Sequence, residues 1–324
     1  MKVLVTGGNG FIGSYLIERL LHHGHDVISL VREGSNLSNL EGCKVSLTKG
    51  DIRNKGSLYP VVEGVDFIYH TAAIKFALNT EDYYKINHLG TKNLLEAVVE
   101  TNHSLKGFVY ISSLAAAGPS MDERPVTEED KCHPITHYGK SKLLGEKEVL
   151  QWENRIPVVI VRPAATYGPR DRDIYLYFRW AKKGISARLG GGKQISLCYV
   201  TDLVKGILLA GEKGKKGGIY FLADEVVYSW DEIDDLVASI LGRGLIKLKI
   251  PRFLIPLLGL MFDTWGRMKG RPPILNSEKL KEIRQPSWIC DVSKAKEELG
   301  FTVEHSLAQG IRETIAWYED KNWL

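Results

Sequence analysis

The chain has 324 residues, of which 44% are hydrophobic and 25% charged, so it can bury one or two cores of ordinary globular size. Its 43 Lys and Arg against 39 Asp and Glu give a formal charge of +4 with no long basic run, which excludes the charge pattern of a nucleic-acid-binding protein. Four scattered cysteines argue against a disulfide framework or a structural metal site and favour reduced thiols in a cytoplasmic protein.

Short β-branched runs alternate with segments of helical period through the first half of the chain. Six runs predict parallel strands, at residues 2–6, 26–31, 45–49, 67–70, 107–112 and 157–162. Three longer segments predict helices, at residues 11–23, 81–101 and 138–154. This alternation predicts an α/β fold, a doubly wound parallel sheet with helices on both faces.

The first predicted strand runs directly into a glycine-rich turn, VLVTGGNGFIG at residues 3–13. Glycines permit a tight turn, let the backbone approach a pyrophosphate and let the next helix pack on the strand. The free N–H groups at the start of that helix attract a phosphate. We therefore predict a Rossmann-type dinucleotide site formed by Gly7, Gly10, Phe11, Ile12 and Gly13.

The end of the second strand carries the residue that selects the cofactor, and here Val31 is followed by Arg32. An acid at this place holds the ribose 2'-hydroxyl of NAD, whereas a guanidinium forms charge-assisted bonds with a 2'-phosphate. Arg32 thus favours NADP over NAD. Two alternatives stay open: Arg32 packs over adenine, or Glu33 accepts a hydrogen bond from the ribose.

Tyr138 and Lys142 are four residues apart, so a helix places both side chains on one face. A phenol with a pKa of about 10 is a poor base at neutral pH, and a neighbouring ammonium lowers that pKa. Ser113 ends a central strand, where its hydroxyl can hold a reacting carbonyl or alcohol. We predict Ser113, Tyr138 and Lys142 as the catalytic residues.

Beyond residue 168 the alternation loosens into glycine-rich turns, such as residues 190–192. We predict a nucleotide-binding domain over residues 1–168, completed by about 200–223, and a smaller discontinuous substrate lobe at 169–199 and 224–324. Helices in that lobe begin at two predicted capping boxes, Ser229 with Glu232 and Ser306 with Gln309.

Ordered motifs along most of the chain resemble the extended short-chain dehydrogenase/reductase family, also called the NAD-dependent epimerase/dehydratase family. They are TGGNGFIG at 6–13, GDI at 50–52, HTAA at 70–73, INHLGTKNLLEA at 86–97, YISS at 110–113, YGKSK at 138–142, RPAATYGPRD at 162–171 and YVTDL at 199–203.

The resemblance implies further site residues. Asp51 and Ile52 are expected beside adenine, and Ala72 and Ala73 beside the ribose and phosphates. Tyr138 and Lys142 are expected at the nicotinamide ribose, and Asn87 is expected to brace the active-site backbone. The segment expected to touch the nicotinamide includes Pro163, Ala165 and Thr166. The resemblance also implies a homodimer through the helices at 81–101 and 138–154, which carry Leu94, Leu95, Val98, Val99, Leu143, Leu144 and Val149.

Departures from the family pattern indicate the branch. Dehydratases place an Asp-Glu pair after the catalytic hydroxyl, but Leu114 and Ala115 follow Ser113 here, so a dehydratase is not expected. Epimerases carry an Arg before the YVTDL motif, where this chain offers Lys193. The chain looks nearest to the 3β-hydroxysteroid dehydrogenase and dihydroflavonol reductase branch. A nucleotide-sugar epimerase with tightly bound NAD and a non-catalytic nucleotide-sensing module are the alternatives.

The segment at residues 250–262 is almost free of polar groups and lies near Lys247, Lys249, Arg252 and Arg267. One interpretation is a buried core helix of the small lobe. The other is that part of the segment lines a pocket for an apolar alcohol or ketone, or contacts a membrane surface. We expect a small-molecule substrate in either case, without nucleic acid or metal.

Overall fold

The computed structural model describes residues 1–189 and 194–324, with the side chains of these residues except those of 187–189, 249, 250 and 252. The predicted turn at residues 190–192 and Lys193 therefore lie outside the described residues, as do the side chains of Lys249 and Arg252.

Within the described residues, the strands are β1 (Lys2–Thr6), β2 (Asp26–Val31), β3 (Ser46–Lys49), β4 (Phe67–His70), β5 (Gly107–Ile111), β6 (Val158–Pro163), β7 (Ala165–Tyr167), β8 (Ile185–Leu189), β9 (Gln194–Tyr199), β10 (Ile219–Leu222), β11 (Val227–Ser229), β12 (Ile246–Ile250) and β13 (Ser287–Trp288). The α-helices are α1 (Phe11–His22), α2 (Tyr59–Val62), α3 (Thr80–Tyr83), α4 (Gly90–Thr101), α5 (Leu114–Ala117), α6 (His137–Gln151), α7 (Tyr175–Lys182), α8 (Val200–Lys213), α9 (Trp230–Leu241), α10 (Ile255–Lys269), α11 (Ser277–Ile283) and α12 (Leu307–Asp320). Short 3-10 or π turns cover Ser38–Leu40, Lys55–Ser57, Tyr84–Leu89, Arg252–Leu254 and Ala295–Leu299.

Seven parallel strands form the central sheet, in the order β10-β6-β5-β4-β1-β2-β3. Because β1 pairs with both β2 and β4, the strand order reverses there and opens a crevice at the carboxyl ends of the strands. The predicted α/β doubly wound sheet is confirmed. Six of its strands are predicted from the sequence, and the seventh, β10, lies within the 200–223 segment expected to complete this part of the chain.

Alternate residues of β1 enter two different cores, as the period of a strand requires. Val3 and Val5 pack with α1 and α8 on one face, whereas Leu4 packs with α2, α4 and α6 on the other. Burial on both faces explains why the central strands are continuous apolar runs. The predicted helix at 81–101 is one helical segment, formed by α3, a π turn and α4.

A separate core lies in the second half of the chain and joins side chains of α7, β9, α9 and α12. β9 pairs with β7, β11 and β13, and β12 pairs with β8. The predicted capping box of Ser229 and Glu232 is present at α9. At α12, Ser306 accepts a hydrogen bond from the Gln309 N–H, but the Gln309 amide donates to Glu313, so the cap is simpler than the predicted box.

The apolar segment at 250–262 does not form a buried core helix. Its first half comprises the end of β12 and a 3-10 turn, and its second half begins α10. Ile255 and Gly259 are buried, but Phe253, Leu257 and Leu260 are 78%, 55% and 64% exposed. Among the described helices, none combines the length and apolar character that crossing a membrane requires.

Candidate active site

A cavity of about 1100 Å³ extends from the glycine-rich turn to the second half of the chain. It opens at the carboxyl ends of the sheet strands, where ligands bind in doubly wound folds. Of the sixteen predicted site residues, fifteen line it and Lys142 does not. The fifteen are Gly7, Gly10, Phe11, Ile12, Gly13, Arg32, Asp51, Ile52, Ala72, Ala73, Ser113, Tyr138, Pro163, Ala165 and Thr166.

Two glycines of the glycine-rich turn, Gly7 and Gly13, leave no space for a side chain. Gly7 has φ +70°, and a Cβ there would lie 2.7 Å from the Ala72 Cα atom. A Cβ on Gly13 would lie 2.3 Å from the Gly7 carbonyl oxygen, so only glycine lets α1 begin this close to β1. Among the described side chains, none caps the N-terminus of α1, which borders the cavity. These features fit the pyrophosphate of a dinucleotide.

Charged residues surround the cavity end nearest to β2. Arg32 is exposed and lines the cavity, whereas Glu33 lies 3.6 Å from Lys49 and is not among the cavity-lining residues. Asp51 is held by the Arg53 guanidinium at 2.6 Å, and this hydrogen bond holds the pKa of the Asp51 carboxyl below its usual range. Cations therefore outnumber carboxylates on this part of the lining.

Ser113 and Tyr138 are brought together by the close contact of α5 with α6. Ser113 is the N-cap of α5, and its hydroxyl accepts a hydrogen bond from the Ala115 N–H at 3.1 Å. Tyr138 lies in the first turn of α6. A Cβ on Gly139 would lie 2.2 Å from the Ala115 carbonyl oxygen, so this glycine is what permits the contact. The Ser113 hydroxyl hydrogen-bonds Tyr138 across it.

In the structure the Lys142 ammonium does not pair with Tyr138, so the predicted pairing is wrong. The Lys142 ammonium is 1% exposed, donates to the Ile111 carbonyl oxygen at 2.6 Å and lies 4.1 Å from the centre of the Tyr110 ring. Burial lowers the pKa of Lys142 to about 7 against the opposing charge of Glu146. Burial also raises the pKa of Tyr138, whereas the sequence analysis expects a lowered value.

The cation that opposes this rise is Lys75, a residue that the sequence analysis missed. Its ammonium lies 2.6 Å from Asp173 and, like Tyr138, lines the cavity. The positive charge of Lys75 and the hydrogen bond from Ser113 both lower the pKa of Tyr138, in that order of size. Burial would lower the pKa of Lys75, but the carboxylates of Asp173 and Asp171 outweigh it and raise that pKa. The sole sequence signal is its position two residues after the HTAA motif.

A buried polar network that joins α6 to β6 lies next to the catalytic residues. Glu146, one turn after Lys142 on α6, forms a bidentate ion pair with Arg162 of β6 at 2.9 and 2.7 Å, with both side chains 2% exposed. The Ser112 hydroxyl donates to the same carboxylate at 2.5 Å. Asn87 donates to the Ile74 carbonyl oxygen and to Ser141, both at 2.9 Å, which is the bracing expected of it.

The opposite end of the cavity is formed by the second half of the chain and is mainly apolar. Its aliphatic and aromatic lining residues are Ile174, Leu176, Tyr177, Trp180, Ile195, Leu197, Trp230, Leu248, Leu258, Phe262, Ile274, Leu275, Ile283 and Trp288. Polar residues of the same half, Arg172, Ser186, Gln194, Lys279, Glu282 and Gln285, also line the cavity. Leu258 and Phe262 belong to the apolar segment at 250–262. A ligand that reaches from the glycine-rich turn to α10 therefore passes from a polar to an apolar lining.

Residues 3–223 match the NAD dependent epimerase/dehydratase family. The chain belongs to this family. It is 30% identical to a Synechocystis sp. protein provisionally named dihydroflavonol 4-reductase, over 99% of this chain and 95% of that protein. It is 29% identical to a 3-beta-hydroxysteroid dehydrogenase of Mycolicibacterium neoaurum, over 98% of this chain and 92% of that protein. The crystal structure of a UDP-glucose 4-epimerase from Thermotoga maritima has the same fold, with a TM-score of 0.82 and 23% identity over 99% of this chain and 100% of that one.

Membership confirms the resemblance found in the sequence. The chain is an NAD(P)-dependent enzyme of the extended short-chain dehydrogenase/reductase type, and the Rossmann-type sheet, the cavity at its switch point and the relatives agree on this.

Proposed function

We propose that the enzyme transfers hydride between a nicotinamide cofactor and a secondary alcohol or ketone on an apolar, steroid-like or flavonoid-like substrate. One observation carries this proposal: Ser113 and Tyr138 line the same cavity as the glycine-rich turn and the apolar end. The names of the two curated relatives support the same substrate class. The apolar part of this lining suits a steroid or flavonoid skeleton.

In this proposal Tyr138 donates its phenolic proton to the ketone oxygen during reduction and takes it back during oxidation. Ser113 donates a hydrogen bond to the same oxygen and so fixes its position next to Tyr138. The ammonium of Lys75 stabilises the phenolate that remains. When bound, the nicotinamide supplies or accepts the hydride. Lys142 donates to the Ile111 carbonyl oxygen at the end of β5.

Turnover of a sterol-like or flavonoid-like ketone with NADPH, compared with epimerisation of a UDP-sugar, tests this function. We expect ketone reduction and no epimerisation. Robust epimerisation with tightly held NAD and no activity on apolar ketones would establish the epimerase alternative.

We infer that NADP is preferred over NAD. Arg32 borders the cavity directly after β2, where its guanidinium group can bind a 2'-phosphate. The competing role of Glu33 as ribose acceptor has less support, because Glu33 is paired with Lys49 outside the lining.

The substitution Arg32→Asp is expected to shift the preference from NADP toward NAD by about tenfold or more, because a carboxylate repels the 2'-phosphate and accepts from a free 2'-hydroxyl. Calorimetric titration with both nucleotides measures the ratio of dissociation constants. Arg19→Asp, on the outer part of α1, is the control. An unchanged ratio in Arg32→Asp would show that this residue does not contact the 2'-phosphate.

The substitution Lys75→Met is expected to move the rise of alcohol oxidation with pH to higher pH. Removal of the ammonium takes away the main charge that lowers the pKa of Tyr138, and leaves the Asp173 carboxylate to raise it, so the phenolate forms later. The pH profile of kcat measures the shift, with Lys75→Arg as the charge-retaining control. Coincident profiles for Lys75→Met and the unsubstituted enzyme would contradict this role.

The division into lobes belongs to the same proposal, with nucleotide bound by residues 1–168 and 200–223 and substrate by 169–199 and 224–324. The proposal also includes a cytoplasmic location, which the four free thiols favour. It further includes peripheral contact with a membrane.

We also infer a homodimer, for which support in the structure is narrower than the sequence indicates. Leu94, Leu95, Val98 and Val149 are fully buried by their own chain. Val99, Leu143 and Leu144 remain half-buried and available to a partner. Sedimentation at micromolar concentration distinguishes a dimer from a monomer.

A further inference from the structure

The helix α10 is apolar around most of its circumference, yet one of its faces is covered by nothing in the described chain. Its inner side packs on α11 through Gly259, where a Cβ would lie 3.2 Å from the Ser277 Cα atom. Its flank, with Leu258 and Phe262, lines the cavity. Its outer face, together with the preceding turn, carries the apolar residues Phe253, Leu257, Leu260, Met261, Trp265 and Met268, each between 54% and 81% exposed. One exposed polar residue, Thr264, lies among them, and its hydroxyl donates to the Leu260 carbonyl oxygen.

The spacing of these residues makes the outer face a single stripe. Leu260, Met261 and Met268 follow Leu257 at three, four and eleven residues, spacings that lie on the same side of an α-helix. A helix that is apolar on all sides is normally buried in protein or in lipid. Contiguous exposed apolar surface of this kind marks an interaction site.

The charges at the end of α10 favour lipid as the partner. Arg267, Lys269 and Arg271 are exposed and have no carboxylate partner among the described residues. The one acid of the helix, Asp263, accepts a hydrogen bond from the Ser277 N–H on the inner side. Lys247, which the sequence places near this segment, is paired with Asp231 and Asp235 of α9. Cations beside an apolar stripe that includes a tryptophan are what an anionic membrane interface binds.

We propose that the outer face of α10 docks on an anionic lipid bilayer, and that the apolar substrate enters the cavity from that bilayer along the flank of the same helix. Leu258 and Phe262 on the flank are one residue away from Leu257 and Met261 on the outer face. A substrate that moves between lipid and cavity would therefore stay against apolar side chains and avoid water. The entry route rests on the proposed function, whereas the docking does not.

Co-sedimentation of the full-length enzyme with vesicles of phosphatidylcholine and phosphatidylglycerol tests the docking. We expect binding that weakens at high salt and in pure phosphatidylcholine vesicles. A variant with three exposed apolar residues replaced, Leu257→Ser, Met261→Ser and Met268→Ser, should bind at least about tenfold more weakly. Met121→Ser, which replaces a methionine of similar exposure elsewhere, should bind normally.

A second variant removes the charges and leaves the apolar face intact. Arg267→Gln, Lys269→Gln and Arg271→Gln together should lower the affinity for the anionic vesicles about tenfold or more, with unchanged thermal stability. Enzyme that stays in the supernatant, or variants that bind like the unsubstituted protein, would overturn the docking. So would loss of a dimer, instead of loss of vesicle binding, in the apolar variant, because the face would then bind a second copy of the chain.

The entry route is tested with two ketones. The apolar triple variant should reduce a short water-soluble ketone at a rate within about twofold of normal, because none of its substituted residues lines the cavity. It should reduce a vesicle-dissolved steroid-like ketone about tenfold more slowly. Equal rates on the vesicle-dissolved ketone would overturn the route. Vesicle binding by an enzyme that reduces neither ketone would overturn the proposed function and leave the docking in place.

Discussion

Tyr138→Phe is expected to lower turnover by about 10² to 10⁴-fold, the range that a positioned acid–base group contributes. The phenylalanine ring keeps the packing of α6 against α5 but carries no proton to transfer. Nucleotide affinity should change little, because the ring is kept and the other lining residues predicted to bind the nucleotide, including the glycine-rich turn and Arg32, are unchanged. Steady-state kinetics and calorimetry with the same cofactor separate the two effects.

The matched control is Tyr84→Phe. The Tyr84 hydroxyl also lies beside α6, where it is 2.8 Å from His137 Nδ1, but Tyr84 does not line the cavity. Its loss should leave turnover within a few-fold of normal. Activity of Tyr138→Phe in that same range would refute the catalytic role of Tyr138.

Most of the fold could be predicted because its signals are local. Buried parallel strands are continuous apolar runs, and the crossover helices between them have a 3.6-residue period. β10 is not predicted as a separate strand because it directly follows the basic, glycine-rich loop at 214–217, in the part of the chain where the alternation loosens. Its place beside β6 is set by pairing across about sixty residues of chain, which no local pattern encodes.

The residues of the candidate site also differ in whether a local sequence signal predicts them. Gly7, Gly13, Ser113 and Tyr138 were predicted because each acts within a short motif whose spacing determines its geometry. The charges that set the protonation of Tyr138 were not, because Lys75 meets Asp173 across 98 residues of sequence. Lys142 was identified by spacing alone, and spacing does not show that its ammonium is buried against a backbone carbonyl and a tyrosine ring.

The apolar helix faces were also ambiguous from the sequence. Leu94 and Leu95 were expected to be available for a dimer but face the enzyme's own sheet, whereas residues 250–262 have a core-like composition and yet present an exposed face. Periodicity shows that a face is apolar. It does not show whether the chain itself, a second copy or lipid covers that face.

Glu146→Gln is expected to lower the free energy of unfolding by about 3 to 5 kcal/mol, the usual loss when one partner of a buried ion pair is removed. The neutral amide keeps the shape of the side chain but leaves the Arg162 guanidinium without a compensating charge in a site that is 2% exposed. Arg162 already has one buried nitrogen, Nη1, without a hydrogen-bond partner among the described residues, so it has little alternative solvation. Urea denaturation measures the loss as a lower midpoint at unchanged slope.

Glu319→Gln is the matched control, because its ion pair with Lys182 has nearly the same length, 2.9 Å, but both side chains are 41% to 50% exposed. The loss there should be below about 1 kcal/mol. Replacement of both buried partners, Glu146→Leu with Arg162→Met, should recover most of the stability lost in Glu146→Gln, since no buried charge then remains unpaired. Equal losses of unfolding free energy in Glu146→Gln and Glu319→Gln would show that water reaches the Arg162 guanidinium. The Glu146 carboxylate, one turn after Lys142 on α6, would then not stabilise the site.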